Sequence, residues 1–147
     1  MHPSTGAVIC HQLHDNLEIP RHISIVPSQW PARGGYLGDQ YDAFKINDPK
    51  DDIPDVSPQV PEKRFQQRIR DLNIPEAEFA RGRLKRLDAD KTLHGIATRA
   101  ALKMMASDQL KAFNVMDAPA SVRDPFGDTP FGRGCLAAAR LVEVGVR

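Results

Sequence analysis

No stretch of this chain approaches the ~18 consecutive apolar residues that a membrane-crossing helix needs. Cysteine is scarce, with two among 147 residues, and no Cys-x-x-Cys occurs. That excludes a disulfide framework and a thiol pair of redox spacing. A Cys10–Cys135 bridge is allowed but not required, and the plainer expectation is two small buried apolar side chains. Net charge is almost absent. Lys and Arg number 20 against 19 Asp and Glu, which leaves no overall field to gather nucleic acid or an anionic membrane. No internal repeat is visible, which sets solenoids and propellers aside. A basic patch followed by an apolar run is missing from the first residues, so no export signal is read in them. Common catalytic signatures are missing too: HExxH, GxGxxG, the phosphate-binding Walker loop and GxSxG do not occur.

What is present fits one domain of ordinary size with a modest core: 41% apolar and 27% charged residues. Residues 3–14 read as a short helix that Ser4 or Thr5 can cap, with Ile9 and Leu13 on one face. Pro20 ends it, and the β-branched run His22 to Val26 predicts a strand. Residues 27–61 hold six prolines and no lasting period, a loop of unusual length for a compact domain. Tyr36, Tyr41 and Phe44 are expected to pin it down. Residues 62–145 are expected to be mostly helical. A charged helix covers 62–72, and Pro75 sits where a first helical residue is favoured, with Glu76 and Glu78 behind it. Ala80, Leu84 and Leu87 mark a buried stripe. Gly95 to Ala106 continues the helical pattern, Ser107 can cap a further turn through Phe113, and residues 114–130 read as a linker. The last helix starts near Pro130. Phe131, Cys135, Ala138 and Val142 share one face, with Arg133, Arg140 and Glu143 on the other. Gly145 fits the residue that ends a helix in a left-handed turn.

Constellations that could carry chemistry are few. His2, Cys10, His11 and His14 crowd the N-terminus with His22 behind, at spacings that match no standard zinc pattern. The basic run Arg81 to Arg86 is explained by a solvated helix face, since nucleic-acid binding needs a larger surplus. The RGGYLG stretch is turn chemistry around an aromatic anchor. Asp51-Asp52 and Asp88/Asp90 are loop charges with nothing in view to raise a carboxyl pKa. The residues by themselves therefore nominate no catalytic, cofactor-binding or metal-ligating side chain.

Four stretches carry a resemblance: HPSTGAVICHQL, GGYLGDQYDAFKINDP, VPEKRFQQRIRDL and, most specific, DQLKAFNVMDAPASVRDPFGDTPFGRGCLAAARLVEVGVR. In that order, and over nearly the whole chain, they resemble the central part of the proteins grouped as domain of unknown function 1501, sulfatase-like members of the alkaline-phosphatase superfamily. Phe126 stands where a tyrosine is commoner, and Ala138-Ala139 replaces a bulkier, often basic pair. The resemblance implies an α/β/α sandwich, of which 1–147 is expected to be an internal, mostly helical segment with one or two short strands. It also implies a hydrolase of phosphate or sulfate esters with a divalent metal. The implied ligand segments lie outside this sequence, so none is carried onto its residues and the chain is expected to be inactive alone. In the parent domain the 27–61 loop is expected to cross the active-site rim, which makes His2, Tyr36 and Tyr41 candidate rim residues. Its partner is then the rest of that domain. Members commonly carry a twin-arginine-type leader, which implies an exported or periplasmic parent; the localisation of this chain is left open. The competing expectation is a small helical interaction module without catalysis. An internal segment should leave the apolar side of the last helix uncovered; a self-sufficient module should bury it.

Overall fold

The computed structural model describes residues 2–13, 18–27, 32–81 and 93–146. They form a mostly helical molecule around one pair of parallel strands. Helix α1 (Thr5–Gln12) starts where Ser4, in extended conformation, accepts the Ala7 N–H on its hydroxyl. This satisfies one of the donors that a helix start leaves open. Strand β1 (Ile23–Ile25) pairs in parallel with β2 (Phe44–Ile46), Ile23 opposite Phe44 and Ile25 opposite Ile46. The second strand lies inside the proline-rich stretch, which also folds into two 3-10 turns, Gly35–Leu37 and Asp39–Tyr41. Strand β2 is three residues long, too short to leave an alternating pattern in sequence.

Helix α2 (Glu62–Arg81) runs unbroken through Pro75, which was expected to open a second helix. Proline there has no N–H for the Asp71 carbonyl. Both residues are exposed, so water can take that carbonyl and the helix continues at a cost. The outer face is laced by bonds one turn apart, Gln66 to Glu62 at 2.6 Å and Gln67 to Asp71 at 2.7 Å. Leu84, Leu87 and the rest of the basic run beyond Arg81 lie outside the described residues, as do Asp88 and Asp90. Helix α3 (Leu93–Met105) buries Met104. Ser107 then caps a 3-10 helix (Asp108–Phe113) by accepting the Gln109 N–H at 3.1 Å. The expected linker is instead a chain of short turns: Val115–Asp117, the four-residue α4 (Ala120–Arg123) and Asp124–Phe126.

Helix α5 (Pro130–Glu143) has the best-defined ends. Thr129 accepts the Gly132 N–H at 3.0 Å, and Pro130 occupies the first turn. At the other end Gly145 takes φ 103°. Its N–H reaches Val142 O and that of Val146 reaches Leu141 O, the paired bonds of a Schellman stop. The buried side of α5 is Gly132, Gly134, Leu136, Ala137 and Leu141. A Cβ on Gly134 would come within 3.1 Å of Ile25 Cγ2, so the missing side chain lets α5 lie close on β1. Leu141 joins Ile19, Ile46, Met104 and Phe113 in the main core, and Leu136 with Ala137 closes a smaller one around Val115. Ile25 packs on both. Phe131 and Val142, by contrast, are 77% and 65% exposed, and Cys135 and Ala138 are exposed with them.

Candidate functional site

In open sheets of parallel strands, ligands gather beyond the carboxyl ends of the strands. Here β1 runs into Val26 and β2 into Asn47 and Asp48. Val26 donates to Ile46 O at 2.7 Å while holding φ 47°, a conformation costly for a β-branched residue. Asp48 is gripped by Arg133 from α5. Nε meets Oδ1 at 2.8 Å and Nη2 meets Oδ2 at 2.6 Å, and Nη1 pairs with Asp128. The Arg133 and Asp48 side chains are only 11% and 17% exposed. The hydrogen bonds from Arg133, aided by the Lys50 N–H and by nearby positive charge, hold the Asp48 carboxyl down at about 2. The same contact raises the Arg133 guanidinium above its ordinary value. Asp48 is therefore ionised with both oxygens engaged. It ties the turn after β2 to α5 and has no proton to give or take near neutrality.

Arg133 and Arg140 were both placed on the face of the last helix opposite the Phe131–Val142 stripe. They are half-buried and turned inward. Arg140 donates to Asn114 O at 2.6 Å and Lys111 O at 2.9 Å, capping carbonyls at the end of the 108–113 turn. Gly132 lies beside Phe126 and Gly127. Any Cβ there would fall 2.0 Å from the Phe126 carbonyl oxygen, so glycine is required for the 124–127 turn to sit on α5.

A second constellation joins α1 to the strands. His22 Nδ1 lies 2.8 Å from Tyr41 O and Nε2 lies 3.4 Å from Ser4 Oγ. The Tyr41 carbonyl can only accept, so Nδ1 carries the proton. Serine, histidine and an orienting carbonyl are the parts of a nucleophile–base pair. The Ser4–His22 contact is long for a hydrogen bond, however, and Ser4 Oγ already caps α1. The group works as a clamp between α1, β1 and the Asp39–Tyr41 turn.

The three candidate rim residues fall around this clamp. His2 is exposed just before α1, and Tyr36 is 74% exposed on the Gly35–Leu37 turn. Tyr41 is half-buried, its ring edge-on to His11 at 5.3 Å between centroids. Cys10 is half-buried and Cys135 exposed, so the pair expected in the core is not there. His14 lies outside the described residues. For a metal the donors do not fit: His22 has both nitrogens in contacts, Asp48 is held by Arg133, and among the described residues no three His, Cys, Asp or Glu converge.

The Asp48–Arg133 pair was invisible in the sequence because its members are 85 positions apart. The available hint was an arginine set between two close-packed glycines, Gly132 and Gly134, on a helix that must press against something.

No helix among the described residues is long and apolar enough to cross a membrane. No curated protein and no solved structure matches the chain. The family model described as protein of unknown function (DUF1501) matches residues 1–147, and the chain belongs to that family.

Proposed function

We propose that residues 1–147 serve as a non-catalytic central portion of a sulfatase-like α/β/α sandwich. The domain would belong to the metal-dependent class that hydrolyses phosphate or sulfate esters. Two parallel strands with helical cover are the kind of unit from which such a sandwich is extended. The observation that carries the proposal is the state of α5. It is capped at both ends and packed on β1, yet its Phe131–Cys135–Ala138–Val142 stripe faces outward. A helix with apolar residues on opposite sides suits an interior layer with further elements beyond it. The ester-hydrolysing chemistry and its divalent metal are then assigned to other parts of the domain, and His2, Tyr36 and Tyr41 to its rim.

The test is hydrolysis of p-nitrophenyl phosphate and p-nitrophenyl sulfate by this chain with added zinc, manganese, magnesium or calcium. No turnover above the metal blank is expected. Turnover that co-purifies with the chain and disappears on adding chelator overturns the assignment of the chemistry elsewhere.

A further inference from the structure

Between the Val115–Asp117 turn and α5 lies a cleft of about 290 Å³. Val115, Met116, Phe126 and Leu136 give it apolar walls. Arg123, on α4, is among its lining residues, and the Nε behind its guanidinium head is buried with no hydrogen-bond partner among the described residues. Its Nη1 faces Met116 Sδ at 4.0 Å, and a thioether is a weak acceptor. Leaving a buried charged donor unmet is costly. The neighbouring Arg133 has no such deficit, because its donors go to Asp48 and Asp128.

We propose that this cleft binds a small monocarboxylate with an apolar body. The carboxylate is taken by the two Nη groups of the Arg123 guanidinium, and the body lies against Val115, Met116 and Leu136. A guanidinium edge matches a planar pair of oxygens. Asp124 and Asp128 line the same cleft, so sulfate or phosphate dianions meet more repulsion there than a single negative charge does. The volume lies at the small end of the range for ligand sites. The site stands independently of the sandwich proposal.

The probe is sodium benzoate, titrated into isotope-labelled chain and followed by amide chemical shifts, with sodium sulfate at equal ionic strength as comparison. Saturable shifts clustered in residues 115–136 are expected with benzoate and not with sulfate. Arg123→Gln should weaken benzoate binding about ten- to hundredfold. Arg123→Lys keeps the charge, covers the case in which the glutamine variant fails to fold, and should still bind about tenfold more weakly because it lacks the fork. Three results overturn the proposal: no saturation at tens of millimolar benzoate, as when the natural acceptor is an acidic side chain of another polypeptide; unchanged affinity in the variants; or sulfate binding as tightly as benzoate.

Discussion

Asp48 and Arg133 meet through two parallel bonds at the carboxyl edge of the strands, and the charge state of one residue controls the contact. Unfolded, Asp48 takes up its proton near the ordinary value of 3.8; folded, it resists until about 2. The folded state therefore binds fewer protons in that window, and stability falls as the pH falls through it. The pair contributes in full above the ordinary value and loses its contribution as the pH drops toward about 2. Comparing thermal melts of the chain with those of Asp48→Asn should give a stability difference that is constant from about pH 5 upward and shrinks below about pH 4. Asp108, lowered by Lys111, adds its own acid dependence equally to both proteins and cancels. A difference that does not change with pH would mean that the carboxylate is not what Arg133 holds. Nothing local marks Asp48 for this part: it sits in an Asn-Asp-Pro turn that reads as solvated loop, and its partner lies on a distant helix.

At the scale of elements, the caps were legible and the faces were not. Ser4, Ser107 and Gly145 act within four residues of where they sit, so their geometry follows from nearby sequence. Which side of α5 goes inward is decided by β1 and by the 108–113 turn, far away in the chain. The residues chosen are Leu136, Ala137 and Leu141 with two glycines, an array that makes a weaker stripe on paper than Phe131 and Val142. Adjacent residues give a sharp test. Leu141 is 2% exposed and Val142 65%. Leu141→Ala should cost about 3 kcal/mol in a thermal or urea melt, while Val142→Ala stays within about 0.5 kcal/mol. The reverse order would mean that the helix is turned the other way in solution. Strand β2 escaped for a related reason, since a three-residue strand is defined by its ladder to β1, not by its own composition. Pro75 shows the opposite failure: a strong local signal lost to the continuity of an exposed helix.

For the whole molecule, family membership and a mostly helical chain with one or two short strands were both within reach of the sequence, while the parallel pairing of β1 with β2 was not. The contacts that make it one body were not. Ile25 touches both apolar clusters, and α5 bridges strand and turn through Arg133 and Arg140. With α5 capped at both ends and packed on β1, its outward stripe lies on a fully formed helix and not on a frayed end. The most direct measurement is fluorescence of an apolar-surface dye, anilinonaphthalene sulfonate, titrated into the chain and into a Phe131→Glu, Val142→Lys double variant under native conditions. The account predicts strong enhancement with the wild-type chain and loss of most of it in the variant, with both melting at similar temperatures. A monomeric, cooperatively melting wild-type chain that leaves the dye dark would contradict it and favour a self-sufficient helical module.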